Sequence, residues 1–318
     1  MITEPKNFGV IGVAGYIAVR HLRAIKETGN NLLASLDPFD SVGIIDSYFP
    51  ESDFFVEFER FDRHFEKLKR NGVSIDYVSI CSPNFLHDSH IRFALRHKAD
   101  AICEKPIVLN PWNIDALSEI ERETGQKVYN VLQLRLHPSI IKLKEEIQAG
   151  PADKIYDIDL SYITSRGNWY RFSWKGDIHK SGGVATNIGI HFFDMLTWIF
   201  GGVVKQSIHL SQDDKAAGYL ELEKARVRWF LSIDSNDLPT EALQNNQRTY
   251  RSIVVEGKDL EFSDGFTDLH TATYRSILEG KGYGLNDART SVVIAHEIRN
   301  SKATPGRGEV HPLVKKLL

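Results

Sequence analysis

The stretch GVIGVAGYIA (9–18) sets glycines between a short apolar run and a segment with helical spacing. Glycine there lets the backbone turn tightly and approach a pyrophosphate, whose charge is met by the start of the following helix. Gly12, Ala14, Gly15, Tyr16 and Ile17 are expected to line that turn, with Ala18 closing it. The spacing departs from G-x-G-x-x-G, because Ala14 stands where the second glycine belongs and Gly15 follows it. Asp37 ends the next apolar run, where a carboxylate accepts bonds from ribose hydroxyls and repels a 2′-phosphate. Pro38 and Phe39 follow, with no arginine to receive such a phosphate, so the expected cofactor is NAD rather than NADP. Many strand–helix turns use glycine structurally; the acid and the flanking elements raise this one above them. In CSPNFLHDSH (81–90), Ser82, Pro83 and Asn84 follow another buried run and are placed to border the same ligand, with His87 nearby. An ordinary proline turn with an Asn helix cap explains Asn84 equally well. In CEKPIVLNPW (103–112), Glu104, Lys105 and Pro106 end an apolar run, and a lysine has little reason to stand there if the segment is only a strand entering a loop.

These residues need a parallel sheet to present them. Strand signals at 7–12, 31–37, 75–83, 100–106 and 128–133 alternate with helical spacing at 16–28, 61–70, 89–97 and 112–124. That alternation predicts right-handed βαβ units, with the chemistry-bearing residues at the strands' carboxyl ends. Beyond residue 150 the pattern changes to period-two alternation at 155–163 and 226–234, with shorter strand-like runs at 219–223, 251–257 and 259–264. An antiparallel sheet with one wet face is expected there, backed by helices at 188–200, 269–279 and 286–300. The predicted fold class is α/β: a Rossmann dinucleotide-binding domain over 1–135, then an α+β domain over 136–318 with an open, mostly antiparallel sheet for substrate binding and oligomerisation.

Composition narrows the classes. The 318 residues are 42% hydrophobic and 25% charged, enough for two soluble domains with proper cores. A formal charge of -3 gives no electrostatic reason to expect nucleic acid or an anionic membrane as partner. No apolar run approaches the roughly 18 residues that span a bilayer. The start, MITEPKNFGVIG, holds no apolar stretch of signal-peptide length, so a cytosolic protein is expected. Cys81 and Cys103 make neither a disulfide framework nor a zinc set, and no metal is expected.

Together with EKP, these features resemble the Gfo/Idh/MocA oxidoreductases, a Rossmann domain followed by an open α/β domain. The resemblance implies that Lys105 sits beside nicotinamide and substrate, and that the bond before Pro106 is cis. The second half of the family signature is matched by SGGVATNIGIHFFDML (181–196), with Gly182, Gly183, Gly189, His191 and Asp194 in place. Asn187 stands where the family usually has aspartate. On a helix starting near 188 it would be the N-cap, with His191 one turn along the same face. Asparagine cannot act as a base, so Asn187 is expected to bind substrate and leave proton work to Lys105 and His191. Asp194 either orients His191 or pairs with it incidentally.

The stretch 15–64 is similar, within the family, to the UDP-N-acetyl-2-amino-2-deoxyglucuronate 3-dehydrogenases. This implies NAD-dependent oxidation of the sugar's C3 hydroxyl on the way to bacterial surface polysaccharide, in a homotetramer. Some of these enzymes recycle NADH with 2-oxoglutarate and others do not. In the implied mechanism Lys105, its pKa lowered by the cofactor's positive charge and by burial, accepts a bond from the hydroxyl as hydride leaves, and His191 takes the proton or hands it on. Glu104 would orient Lys105. Arginine forks suit a diphosphate and a carboxylate. Arg135, after the last Rossmann strand, and Arg166, Asn168, Trp169 and Tyr170 are therefore candidates to read a UDP-sugar, against the alternative of an exposed loop packing a subunit interface. The apolar stretch 41–50 is expected to contact a neighbouring subunit. The rival functions are a dehydrogenase of another sugar, inositol or nucleotide sugar, a non-catalytic NAD(H)-binding member, and redox-neutral glycoside cleavage.

Overall fold

The computed structural model describes residues 4–260, 268–306 and 308–316. The chain divides into two units, Met1–Gln133 with Thr267–Arg289, and Leu134–Phe266 with Thr290–Leu318. In the first, apolar runs too short for helices become β1 (Asn7–Ile11), β2 (Asn31–Leu36), β3 (Asp53–Phe55), β4 (Tyr77–Ile80), β5 (Asp100–Cys103) and β6 (Val128–Asn130). They form one parallel sheet in the order β3-β2-β1-β4-β5-β6, the doubly wound arrangement. Helices α1 (Ala18–Glu27), α2 (Ile44–Tyr48), α3 (Phe58–Arg70), α4 (His87–Arg96) and α5 (Pro111–Thr124) connect the strands. Leu22 and Ile25 of α1 join Phe8, Val10 and Ile102 in a buried core. Pro111 starts α5 and Gly125, at φ 78°, ends it in the left-handed conformation that glycine tolerates best. The stretch 41–50 is not a free apolar face: Ile45 is buried, and Val42, Ile44, Tyr48 and Phe49 pack on this unit's own core. Strand β3 escaped the sequence reading because three residues show no period.

The second unit holds α6 (Pro138–Ala149), β7 (Tyr156–Thr164), α7 (Trp169–Phe172), α8 (Ile178–Ser181), α9 (Ile190–Phe200), β8 (Val203–Ser211), β9 (Lys215–Leu222), β10 (Ala225–Ser232), α10 (Thr240–Gln244), β11 (Thr249–Val255) and β12 (Lys258–Asp259). The sheet order is β12-β11-β7-β10-β9-β8. Strands β7 and β10 are parallel and the other neighbours antiparallel. Ile158, Leu160, Val227, Trp229 and Leu231 face the main core with Phe193 and Leu196 of α9. The opposite face is wet where Arg228 bridges Asp159 and Glu309, but carries a smaller core around Phe230, Leu238 and Val314. The expectation of one wet face was therefore half right. Edge strand β8 was missed because its valines are exposed and interrupted by polar residues. Of the run predicted at 259–264, only its first residue lies in a strand, and residues 261–264 lie outside those described.

The chain then rejoins the first unit. Helix α11 (Leu269–Leu278) packs on α1 and puts Tyr274 and Ile277 into the first core. The sequence reading ran the second domain unbroken to 318; the structure returns Thr267–Arg289 to the first unit. Helix α12 spans Leu285–Asn300. Among the described residues no helix is long and apolar enough to cross a membrane.

Candidate active site

The glycine turn follows β1 directly. Gly12 has φ +87°, and a Cβ there would lie 2.7 Å from the carbonyl carbon of Cys81 and the nitrogen of Ser82. Backbone cannot yield as a side-chain tip can, so the position takes only glycine. The Gly12 N–H donates to Leu36 O at 2.8 Å, and the Gly15 N–H returns to Gly12 O at 3.1 Å. No side chain caps the start of α1. The Asp37 carboxylate is buried and accepts from the Ala14 N–H at 2.9 Å and the Phe39 N–H at 3.0 Å. Asp37 thus fixes the turn that precedes the helix, and each oxygen keeps a lone pair for a further donor. A glycine cradle, an uncapped helix start and a fixed acid at the next strand end fit a dinucleotide. Tyr16 and Phe39, flanking this turn and this acid, are exposed. Gly12→Ala is expected to weaken NAD binding at least about ten-fold and to destabilise the fold by about 2 kcal/mol. Titration calorimetry and urea unfolding check the two parts, and unchanged NAD affinity would remove the turn from the cofactor site.

Beyond β4, Ser82 and Asn84 are buried, and Ser82 Oγ bonds His90 Nδ1 at 2.8 Å. His87 stands beside the same loop. Its ring nitrogens lie 2.7 Å from Pro106 O and 2.8 Å from Ser82 O, so the buried ring sits between two loops.

Lys105, half-buried, follows β5, and its bond to Pro106 is cis. Glu104 does not turn its carboxylate to the lysine side chain. Its Oε1 accepts from His21 Nε2 at 3.0 Å and from His270 Nε2 at 2.9 Å, while Oε2 accepts a long bond from the Lys105 N–H at 3.3 Å. Burial raises the Glu104 pKa, but the two histidine bonds outweigh it and hold the carboxyl well below its usual range. His21 Nδ1 lies 2.7 Å from Tyr274 Oη, which lies 2.6 Å from Ser79 Oγ. The sequence reading missed this chain of groups. His21 falls on the apolar stripe of α1, and His270 and Tyr274 are four apart on α11. Polar residues on buried faces were the available signal.

In the second unit, Gly182 and Gly183 have φ +82° and +78°, and a Cβ on Gly182 would meet the Thr186 side chain at 2.7 Å. A π-helical turn over Ala185–Gly189 precedes α9, so Asn187 is inside a turn and not an N-cap. Its Nδ2 donates to Tyr170 Oη at 2.6 Å, both side chains being buried. His191 lies in the first turn of α9 and is half-buried. Arg135 is paired within its own unit. The buried guanidinium donates through Nε to Asp194 Oδ2 at 3.0 Å and through NH2 to Asp194 Oδ1 at 2.7 Å. The fork that could take a substrate anion is engaged by a carboxylate of its own unit, and Asp194 is thereby engaged by Arg135. Arg166, Asn168 and Trp169 are exposed, and Trp169 meets the Tyr170 ring edge-on at 5.8 Å.

Residues 6–131 match the oxidoreductase family's NAD-binding Rossmann fold, and residues 144–240 its C-terminal alpha/beta domain. The chain is 51% identical to the WlbA (WbpB) dehydrogenase of Thermus thermophilus, solved in complex with NAD and alpha-ketoglutarate. The TM-score is 0.93 over 96% of this chain and 99% of that one. A structure of the Thermus thermophilus enzyme with NAD and UDP-GlcNAcA is 50% identical, again with a TM-score of 0.93, over 96% of this chain and 99% of that one. Inositol 2-dehydrogenase of Rhizobium meliloti (strain 1021) is 29% identical over 61% of this chain and 55% of its own length. The chain spans between 36% and 55% of the length of this and the other curated relatives matched most strongly. The chain belongs to the Gfo/Idh/MocA oxidoreductase family, with an NAD-binding Rossmann domain over residues 6–131.

Proposed function

We propose that this protein oxidises the C3 hydroxyl of UDP-N-acetylglucosaminuronic acid to the 3-keto sugar. The observation that carries the reading is 50% identity, over 99% of its length, to a dehydrogenase that binds both NAD and UDP-GlcNAcA. Bound NAD supplies the hydride acceptor. Gly12, Ala14, Gly15, Tyr16, Ile17 and Asp37 hold its adenosine and diphosphate end, with Ser82, Pro83, Asn84 and the Glu104–Lys105 strand end toward the nicotinamide. Lys105 accepts a hydrogen bond from the C3 hydroxyl, and Lys105 and His191 share the proton that leaves it. Asn187, Arg166, Asn168, Trp169 and Tyr170 bind substrate. The second unit carries the substrate and oligomer surfaces of a cytoplasmic homotetramer serving surface-polysaccharide (O-antigen) synthesis. Alpha-ketoglutarate in the Thermus thermophilus relative supports 2-oxoglutarate as the oxidant that restores NAD.

A second reading, a dehydrogenase of another sugar or of inositol, draws on the match to inositol 2-dehydrogenase and on 27% identity to D-glucoside 3-dehydrogenase of Escherichia coli (strain K12) over 43% of this chain and 39% of that protein. Purified protein with excess NAD and UDP-N-acetylglucosaminuronic acid, with and without 2-oxoglutarate, separates the two. NADH formation or a single-turnover burst, with a 3-keto product, is expected. Silence under both conditions, with turnover of inositol or a free sugar, would transfer the assignment to the second reading.

A further inference from the structure

We propose that His21 and His270 are positioning residues for Lys105, holding Glu104 as a fixed strut between helices α1 and α11 and the strand end that carries the lysine. The proposal rests on the reading of Lys105 as a group that handles the substrate hydroxyl.

The polarity of the network can be assigned. A carboxylate only accepts, so His21 and His270 each carry a proton on Nε2. Burial lowers the His21 pKa against the pull of Glu104, which leaves the ring neutral and Nδ1 an acceptor. Tyr274 then donates to His21, and Ser79 donates to Tyr274. Every donor from Ser79 to His21 points toward Glu104, and His270 points at it from the other side. Such a chain polarises each member in turn and fixes the position of the charge at its end.

His270 sets this apart from ordinary core packing. Its Nδ1 is buried and has no hydrogen-bond partner among the described residues. A buried nitrogen without a partner costs stability, and the ring's described hydrogen bonding goes to Glu104. Here one nitrogen is sacrificed and the other serves Glu104. The Glu104 backbone is also pinned, its N–H donating to Ile80 O at 3.0 Å, so the carboxylate and the strand end move together. The groups facing Glu104 are His21 from α1, His270 and Tyr274 from α11, Cys81 and Cys103 from the strand ends, His87 from α4, and Lys105 itself. The ligand atoms of His21, Glu104 and His270 lie close enough together to suggest a metal. The contacts of 2.9 and 3.0 Å are hydrogen-bond lengths, and tetrahedral ligands about 2.0–2.1 Å from zinc would stand further apart.

The test is a double-mutant cycle with a conservative rescue. His270→Leu is expected to lower kcat about 10- to 100-fold, with KM and the Kd for NAD within about two-fold of the parent. His270→Gln, which keeps an N–H toward Glu104, should recover most of the loss. In a Lys105→Ala background, His270→Leu should cost nothing further. An equal loss in both backgrounds, a glutamine no better than leucine, or an effect on thermal stability alone would overturn the proposal. Should the leucine variant not fold, two-bond proton–nitrogen spectra of the whole protein labelled at histidine decide it. Both rings should carry a proton on Nε2. A bare Nε2 on either ring, or stoichiometric metal in the purified protein, would rule the strut out. If the unaltered protein does not turn over the UDP-uronate, the substrate assignment falls and the spectra still decide the strut.

Discussion

Lys105→Ala is expected to lower turnover about a thousand-fold while leaving NAD affinity within about two-fold. Positioned acid–base groups contribute roughly 10² to 10⁴ to rate, and that is the role proposed for Lys105. The residues proposed to cradle the dinucleotide, Gly12, Ala14 and Asp37, lie at the ends of β1 and β2, away from the strand end that carries Lys105. The loss should therefore fall on kcat and spare cofactor binding. His191→Ala is the companion measurement. The variant whose pH profile loses its ionisation on the acid side identifies the formal base, because that limb reports the group that must be neutral. Turnover within a few-fold of the parent in the Lys105 variant would take the lysine out of the reaction.

The largest expected effect on stability is at Asp194. Asp194 is 2% exposed and Arg135 6% exposed. Asp194→Ala leaves a buried guanidinium without its bidentate partner, and removing one member of such a pair costs about 3–5 kcal/mol. The pair itself is a different matter. Its Coulombic gain is largely offset by desolvation, so the double variant Arg135→Met with Asp194→Leu should recover most of the loss. Urea unfolding of the single and double variants measures both. A single-variant loss below about 1 kcal/mol, with a raised KM for the UDP-sugar from Arg135→Met, would return Arg135 to the substrate-binding role that its sequence position suggested.

The contrast between Gly12 and Arg135 shows what was legible in the sequence. Gly12 was readable because its constraint is local. A strand, a turn at positive φ and a helix start within ten residues leave a signature in residue types alone. The same holds for Asp37, whose place at a strand end follows from counting one βα unit. Arg135 and Asp194 are far apart in sequence, and nothing local distinguishes an arginine that reads a substrate from one that meets an aspartate in its own core. The N-cap expected at Asn187 failed for a related reason. The Gly182–Gly183 pair announced a turn, but the π-helical turn that follows ends at Gly189 in packing set by a distant strand, where a Cβ would meet Leu231 at 2.5 Å and Phe193 at 3.0 Å. The strands of the first sheet other than β3 were found because their apolar runs are nearly continuous and largely buried. Edge strand β8 was not, because an exposed edge leaves no such run.

The return of α11 to the first unit sets an order of events during synthesis. The Rossmann sheet is encoded by Val128–Asn130 at the latest, yet His270 and Tyr274 are still more than a hundred codons away. Until they are translated, Glu104 has one of its two histidine donors, and the core around Phe8 and Ile25 lacks Tyr274 and Ile277. A ribosome-bound nucleotide domain therefore stays unfinished while the whole β7–β12 sheet emerges. A fragment cut after β6 would carry an under-bonded carboxylate and an open apolar flank. The strand end bearing Lys105 is completed only after the polypeptide destined for the other half of the molecule has been made.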